Sequence, residues 1–206
     1  MDKNINRVIA YIDGFNLYFG MKDSGYDYCK WLNIDKLIRS YLTFNQQLIS
    51  IKYFTSRVTN NPPKQKRQST YIEALETTGI KIIYGLYKAK NVECKNCGHL
   101  WSIANEKMTD VNIATHLIID VFQDRYDTAI LVSGDSDLVP PIKAVHENFD
   151  KKVVSVFFPP ARHNVSVAAA AKGSLIIGRK KLVECQFPPE VKKKDGYILS
   201  KPKNWY

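Results

Sequence analysis

The chain has 206 residues, the length of one domain or of one domain with a short appendage. Its composition, 45% hydrophobic and 24% charged, is typical of globular proteins and excludes a disordered chain, a collagen-like fibre and a coiled coil. The formal net charge of +10 favours polyanionic partners, although many basic proteins only carry a solvated basic surface.

Five short apolar runs rich in β-branched residues predict buried strands, over 7–12, 48–55, 80–87, 128–133 and 152–158. Helical spacing of apolar residues and helix-boundary residues predict helices between them, over 34–41, 63–78, 109–123 and 138–148. Strands that alternate with helices indicate βαβ units. The expected fold is therefore α/β, with a mostly parallel sheet that helices cover on both faces.

Two segments depart from this pattern. Residues 88–105 contain a CxxC motif and are expected to be an inserted loop or a small metal knuckle. Residues 188–206 are rich in Pro and Lys and are expected to be a basic tail that runs over the surface, held by Trp205 and Tyr206. The predicted organisation is one domain over 1–187, with the insertion inside it, followed by the tail.

The apolar runs bear on location. The longest, 165–171, is far shorter than the about 20 residues of a membrane span. The first begins at Val8 and stops at Asp13, too early for a secretory signal. By default, these features predict a cytoplasmic protein with no membrane partner.

Acidic residues follow two of the predicted strands. Asp13 ends the first strand, Asp135 and Asp137 follow the fourth, and Asp110 begins the long predicted helix. Because ligands bind outside the carboxyl ends of parallel strands, these side chains are expected to converge on one edge of the sheet. At any single position an Asp can also be a helix cap or a turn residue. Asp13 is the hardest to explain in that way, because it ends a buried strand.

A cluster of carboxylates points to a hard divalent cation. Mg²⁺ and Mn²⁺ prefer oxygen ligands, and several Asp side chains around one cavity repel one another unless a cation is present. Such a site can activate water for hydrolysis of a phosphodiester. Basic residues near strand ends or helix starts could contact the phosphates: Arg57, Lys107, Arg162 and His163. Three further acids are expected to be solvated or to cap helices: Asp120, Asp124 and Asp127.

Three stretches carry a family resemblance. They are YIDGFNLYFG at 11–20, the segment 106–147 that contains SGDSD, and KKVVSVFFPPARHN at 151–164. In this order they resemble the NYN domain family, a branch of the PIN-like nuclease superfamily, and the resemblance covers roughly residues 5–185. It implies a PIN-like three-layer α/β/α sandwich. It also implies a ribonuclease that depends on Mg²⁺ or Mn²⁺, with acids at the carboxyl edge of the sheet. Our hypothesis for its substrate is single-stranded or structured RNA.

The resemblance also implies roles for individual residues. It makes Asp13 and Asp135 the direct metal ligands, and Asp110 and Asp137 complete the acidic set, directly or through water. Asn16 would orient Asp13 or bind a metal-bound water. Ser133 could support the same network, and Lys107 is the candidate that neutralises phosphate charge. Together with Arg57 and Arg162, named above from their places in the chain, they form the predicted substrate-binding set.

The CxxC motif has the spacing of a zinc knuckle. Cys94 and Cys97 would supply two ligands and His99 a third, whereas a structural zinc site needs four. The fold would have to bring a further ligand close, from Cys29, Cys185, His116, His146 or His163. The alternatives are a pair of reduced thiols in a surface loop and a site shared across a homodimer. Any zinc here is expected to be structural, because thiolates do not suit Mg²⁺ chemistry.

Aromatic residues near the first acid allow two interpretations. Phe15, Tyr18 and Phe19 could line a groove in which the bases of a single strand stack. We favour the core for Phe15 and Phe19, because i, i+4 spacing packs one face of a helix. Basic residues that open the second predicted helix could follow a phosphate backbone or form a solvated face: Lys64, Lys66 and Arg67.

A metal-dependent endoribonuclease is thus the first functional hypothesis. The alternative is a non-catalytic RNA-binding or regulatory protein of the same family, in which the acids hold a structural cation or none. A small-molecule phosphatase is a weaker hypothesis. Phosphatases with a covalent aspartyl intermediate usually carry DxD after the first strand, and here the chain reads Asp13-Gly14-Phe15.

Overall fold

The computed structural model of the chain describes residues 5–59, 61–93 and 96–205, and for 86–93 and 100–107 it describes the backbone. The strands in these ranges are β1 (Asn6–Asp13), β2 (Gln46–Thr55), β3 (Lys81–Tyr84), β4 (Leu86–Glu93), β5 (Leu100–Lys107), β6 (Thr128–Val132), β7 (Val153–Phe158), β8 (Gly173–Ile176), β9 (Glu190–Lys192) and β10 (Ile198–Ser200). The helices are α1 (Gly14–Asp23), α2 (Ile34–Arg39), α3 (Pro62–Glu76), α4 (Thr109–Phe122), α5 (Val139–Asn148), α6 (Val165–Ala170) and α7 (Arg179–Glu184).

The central sheet has six parallel strands in the order β3-β2-β1-β6-β7-β8. On one side of β1 lie β2 and then β3, which follow it in sequence. On its other side lie β6, β7 and β8, in that order. The order therefore reverses between β1 and β6, and such a switch point opens a crevice at the carboxyl ends of these two strands. The predicted parallel α/β architecture is confirmed.

Two cores cover the two faces of this sheet. Side chains alternate along β1, so that Val8, Ala10 and Ile12 enter one core while Ile9 and Tyr11 enter the other. The first core contains residues of α1, α2, α3 and α7, and the second contains residues of α4, α5 and α6. The result is the three-layer α/β/α sandwich that the family resemblance implies.

Most predicted elements are present with shifted ends. The predicted strand over 80–87 is divided, because β3 ends at Tyr84 and the chain turns at Gly85, whose N–H donates to the carbonyl of Thr55. Outside the two hairpins described below, four helices and strands in the described ranges were not predicted: α1, α6, β8 and α7. They are short or polar, and only β8 belongs to the central sheet.

The segment predicted as an inserted loop or knuckle is a pair of strands. β4 and β5 form an antiparallel two-stranded sheet, with Leu86 opposite Lys107 and Glu93 opposite Leu100. Backbone pairing in this hairpin satisfies groups that a long loop would leave to water.

The C-terminal segment packs against the first core. β9 and β10 pair antiparallel, and Trp205 is buried with its ring centroid 5.7 Å from that of Tyr71 and 6.3 Å from that of Trp31. The indole N–H of Trp31 donates to the carbonyl of Pro188 at 2.7 Å. The predicted tail is therefore a folded hairpin held by Trp205, whereas Tyr206 lies outside the described residues.

A buried ion pair joins α4 to the sheet. Asp120 is fully buried, and its Oδ2 accepts hydrogen bonds from Nζ of Lys52 and, at 2.6 Å, from the hydroxyl of Tyr11. Its Oδ1 accepts from Arg125 at 3.1 Å. Burial raises the pKa of the Asp120 carboxyl, but these donors outweigh it and lower the pKa below its usual value. The prediction that Asp120 is solvated or capping was wrong.

Within the described ranges, no helix combines the length and the apolar character needed to cross a bilayer.

Candidate active site

A pocket of about 260 Å³ opens at the switch point between β1 and β6. Its wall comes from the end of β1, from α1, from the start of α4 and from the loops that follow β6 and β7. The lining residues are Asp13, Phe15, Asn16, Phe19, Thr109, Asp110, Asp135 and Arg162. We call it the acidic pocket. Three of the four predicted acids, which lie far apart in sequence, thus face one cavity.

Asp13 is tied to the loop after β6. Its Oδ1 accepts from the N–H of Asn16 at 3.0 Å and so caps α1, while its Oδ2 accepts from the hydroxyl of Ser133 at 2.9 Å. The oxygen of that hydroxyl accepts from the N–H of Asp135 at 3.1 Å. These two bonds agree with the expectation that Ser133 supports the network of acids, whereas its full burial argues against direct contact with substrate. Its hydroxyl instead connects the two acids.

The side chain of Asn16 makes a second tie. Its amide oxygen accepts from the N–H of Gly134 at 3.0 Å, which fixes the start of α1 to the loop after β6. A β-carbon at Gly134 would lie 1.8 Å from the carbonyl oxygen of Arg162, so only glycine fits between the two loops. Asn16 therefore acts on the backbone beside Asp135 as well as lining the pocket.

Asp110 lies in the first turn of α4 without capping it. The N-cap position is Met108, which has φ 80° and makes no side-chain cap, so the capping alternative does not hold for Asp110. Burial, and then the negative charges of Asp135 and Asp137, raise the pKa of its carboxyl. Asp137 itself is exposed and does not line the acidic pocket.

The donor set of the acidic pocket fits a hard divalent cation. Its carboxylates supply oxygen ligands. After burial, the largest cause, the negative charge of Asp135 helps to raise the pKa of Asp110, and a cation between such acids relieves this repulsion. Among the described residues, no group of three or more His, Cys, Asp or Glu side chains is arranged to hold a metal ion. Mg²⁺ commonly keeps several waters and takes one or two carboxylates plus substrate phosphate. Asp13 and Asp135 match that smaller requirement.

One predicted phosphate contact, Arg162, lies at the acidic pocket, and another, Arg57, does not. Arg162 lines the acidic pocket, and its guanidinium pairs with the carboxylate of Asp23. Arg57 does not line it; its guanidinium lies over the ring of Tyr84, 4.6 Å from the centroid. The backbone of Lys107 ends β5, and its side chain lies outside the described part of the structure.

Phe15 and Phe19 are wall residues of the pocket. Phe19 is 41% exposed, and the two rings stack with centroids 6.3 Å apart. The preference for the core is therefore wrong. Leu17 and Met21 supply the buried face of α1, whereas Phe15 and Phe19 line the pocket. Their position at i and i+4 directly after Asp13 was the signal that could have placed them at the site.

A second and larger cavity, of about 430 Å³, adjoins the acidic pocket. We call it the aromatic cavity. It shares Phe15 and Phe19 with the acidic pocket. The rest of its wall comes from α1, Lys30 in the segment after α1, the end of β2 and the loop that follows it, α3 and the C-terminal segment. Gly14 permits this arrangement, because a β-carbon there would lie 2.5 Å from the ring of Tyr53.

The predicted zinc ligands are only partly described. Cys97 and His99 are exposed, and Cys94 lies outside the described residues, so this site stays a prediction. The fold buries the other candidate thiols, Cys29 and Cys185, in the first core. The remaining histidines are engaged elsewhere: His116 with Lys52, His146 with Val154 and Ala170, and His163 against Phe158.

Comparison with family models gives the domain type. The family model described as "NYN domain" matches residues 7–177. One relative, 6-hydroxy-3-succinoylpyridine 3-monooxygenase HspA of Pseudomonas putida, is 27% identical, and the match covers 100% of this chain and 77% of the relative. A crystal structure of a protein of unknown function from Vibrio parahaemolyticus has a TM-score of 0.59 at 18% identity, over 87% of this chain and 97% of that chain. This structural likeness supports the fold alone.

Proposed function

Because the chain belongs to the NYN domain family, we propose that it is a divalent-cation-dependent endoribonuclease with its active site in the acidic pocket. One observation carries this proposal: Asp13, Asp110 and Asp135 come from three separate segments and line one pocket at the switch point of the sheet. A cation-binding set of acids on a protein with net charge +10 suits a polyanionic substrate.

The proposed reaction is hydrolysis of a phosphodiester. The oxygen of a water forms a bond to phosphorus, one P–O ester bond breaks, and the leaving ribose oxygen takes up a proton. A bound Mg²⁺ or Mn²⁺, held by Asp13 and Asp135, would supply Lewis-acid activation of water and neutralise phosphate charge. Ser133 and Asn16 hold these acids in position, and Arg162 presents a positive charge to the phosphate.

RNA cleavage by purified protein tests this proposal. We expect the wild type to cleave a 5′-labelled RNA in Mn²⁺ and to stop when EDTA is added. Asp135→Asn keeps an oxygen that can accept from the backbone N–H of Asp137, as Oδ1 of Asp135 does at 2.9 Å, but it loses the charge. We expect its rate to be lower by about 100-fold or more. Asp150→Asn is the matched control, because Asp150 is exposed and outside the acidic pocket. Equal cleavage by wild type and Asp135→Asn would refute the assigned site.

The same assay distinguishes the non-catalytic alternative. An RNA-binding or regulatory protein would retain RNA in a filter-binding assay, with affinity that falls steeply as salt rises. It would give no cation-dependent product. That combination would replace the hydrolytic proposal.

A second candidate function comes from the relative in Pseudomonas putida, whose name states oxygenation of a succinoyl-substituted hydroxypyridine. The aromatic rings and cations of the aromatic cavity would also suit a small aromatic acid. Oxygen uptake in the presence of 6-hydroxy-3-succinoylpyridine and NADH tests this candidate. Substrate-dependent oxygen uptake would support it, and its absence together with RNA cleavage would exclude it.

A further inference from the structure

Cations dominate the charge of the aromatic cavity. The described residues that line it include no acid. They include four cations: Lys22, Lys30, Lys64 and Arg67. Lys30 is only 5% exposed, and its Nζ lies 4.4 Å from the centroid of the Tyr18 ring and pairs with Asp27. A wall of this charge attracts an anionic ligand, in contrast to the acidic pocket next to it.

Aromatic residues make up half of the remaining lining residues. They are Phe15, Tyr18, Phe19, Tyr53, Tyr71 and Trp205. Tyr18 meets Phe19 edge-on, with centroids 5.3 Å apart. Planar bases stack on such rings without regard to sequence, and a guanidinium or ammonium group nearby can take the phosphate of the same nucleotide. The volume of about 430 Å³ lies within the range of about 300–1,000 Å³ for small-ligand sites.

The aromatic cavity and the acidic pocket share Phe15 and Phe19 in their walls. Because these rings belong to both walls, a ligand in the aromatic cavity lies directly beside the acidic pocket. An RNA strand with one phosphate near Asp13 and Asp135 would therefore carry a neighbouring base over the phenylalanines and into the aromatic cavity.

We propose that the aromatic cavity binds the base and phosphate of the nucleotide that adjoins the cleaved bond, and that single-stranded RNA is therefore the substrate class. This inference rests on the proposed function and deepens it. A base inside a duplex is paired and stacked on both sides, so it cannot enter the cavity without leaving the helix. Paired RNA is then a poor substrate even where it can reach the acids.

Nucleotide binding in EDTA tests the cavity separately from hydrolysis. The probes are adenosine and uridine 5′-monophosphates, measured by calorimetry. We expect affinity to fall by about 10-fold or more in Lys64→Ala/Arg67→Ala, because two charge-assisted contacts to phosphate are lost. Lys66→Ala should bind like wild type, because Lys66 is exposed on the same helix but does not line the cavity.

A second pair of variants tests stacking. Phe19→Ala should also weaken nucleotide binding, whereas Phe44→Ala should not, because Phe44 is 93% exposed and outside the cavity. Both phenylalanines are exposed enough that truncation should not unfold the protein. Equal nucleotide affinity in all these variants, or tighter binding of nicotinate than of the nucleotides, would overturn the inference.

Cleavage of one RNA sequence in single-stranded and duplex form, in Mn²⁺, completes the test. Faster cleavage of the single strand supports the inference, and equal rates would overturn it. If nucleotides bind as expected but neither RNA is cut, the proposed hydrolysis fails while the cavity stands as a nucleotide site. If RNA is cut but the cavity variants bind nucleotides with the affinity of wild type, only the inference fails.

Discussion

The hydroxyl of Ser133 donates a hydrogen bond of 2.9 Å to Oδ2 of Asp13, although 120 positions separate the two residues. The same hydroxyl oxygen accepts from the N–H of Asp135. One buried oxygen therefore sets the position of the acid at the end of β1 relative to the acid after β6. This bond exists because β1 and β6 are sheet neighbours, with Ile12 opposite Val132 in the register.

We expect Ser133→Ala to affect activity more than stability. Loss of a residue that orients ligands commonly costs about 10–100-fold in activity or metal affinity, and loss of one buried hydrogen bond costs about 1–2 kcal/mol of folding free energy. Rates of RNA cleavage and urea denaturation measure the two effects. Ser166→Ala is the control, since Ser166 is exposed in α6. An unchanged cleavage rate in Ser133→Ala would contradict the positioning role.

Gly134→Ala is expected to damage both folding and activity. The added β-carbon would meet the carbonyl oxygen of Arg162 at 1.8 Å, and backbone cannot yield as a flexible side chain can. Overpacking of this kind costs about 1–3 kcal/mol and would separate the loop after β6 from the loop after β7. Gly178→Ala is the control, because a β-carbon there meets nothing within 4 Å. If thermal unfolding of the two variants were alike, the close approach would be refuted.

Asp120→Asn is expected to destabilise the fold without acting on the site. The substitution leaves the buried ammonium of Lys52 without its counter-charge, which costs about 3 kcal/mol when a buried pair is broken. Urea denaturation measures the loss. Asp150→Asn makes the same change at an exposed position and should cost little. A similar loss in both variants would mean that the buried pair contributes no more than a surface charge.

Stability should fall as the solution becomes acidic, in part through His146. Its Nε2 accepts from the N–H of Val154 at 3.0 Å, and its Nδ1 donates to the carbonyl of Ala170 at 3.1 Å, so the ring is neutral in the fold. Burial is the largest cause that lowers the pKa of His146 below its ordinary 6.5. The unfolded chain therefore binds the proton more readily, and stability present above pH 6.5 is lost as the pH falls below it.

Urea denaturation at pH 7.5 and pH 5.5 measures this loss for wild type and His146→Gln. We expect the variant to lose less free energy of unfolding over that interval. His116, whose pKa is lowered by burial and then by Lys52, adds a loss in the same direction, so the variant removes only part of the total. An identical loss in both proteins would exclude His146 as a source.

The parallel sheet could be predicted because its strands are buried on both faces. β1, β6 and β7 appear in the sequence as short apolar runs, and α4 keeps its apolar spacing over 14 residues. The helix α1 was not predicted. It begins directly at the end of β1, so its signal is a capping Asp13 inside the motif rather than a separate apolar face.

Positions within the site were harder to predict than its acids. Asp13 and Asp135 could be predicted from the apolar strands that precede them. The burial of Asp120 in α4 depends on Lys52 of β2 and Tyr11 of β1. A single charged residue gives no indication of a distant partner. The exposure of Phe19 likewise depends on which face of α1 the sheet covers.

One measurement tests most directly whether Asp13 and Asp135 hold a cation in the acidic pocket that Asp110 also lines. Fe²⁺ is substituted for Mg²⁺, ascorbate and peroxide are added, and the backbone cuts made by radicals from the bound iron are mapped by mass spectrometry. We predict cuts clustered near all three residues, lost in Asp13→Asn/Asp135→Asn and suppressed by excess Mg²⁺. Cuts near only one of the three, or a pattern that the double variant leaves unchanged, would contradict a shared cation site.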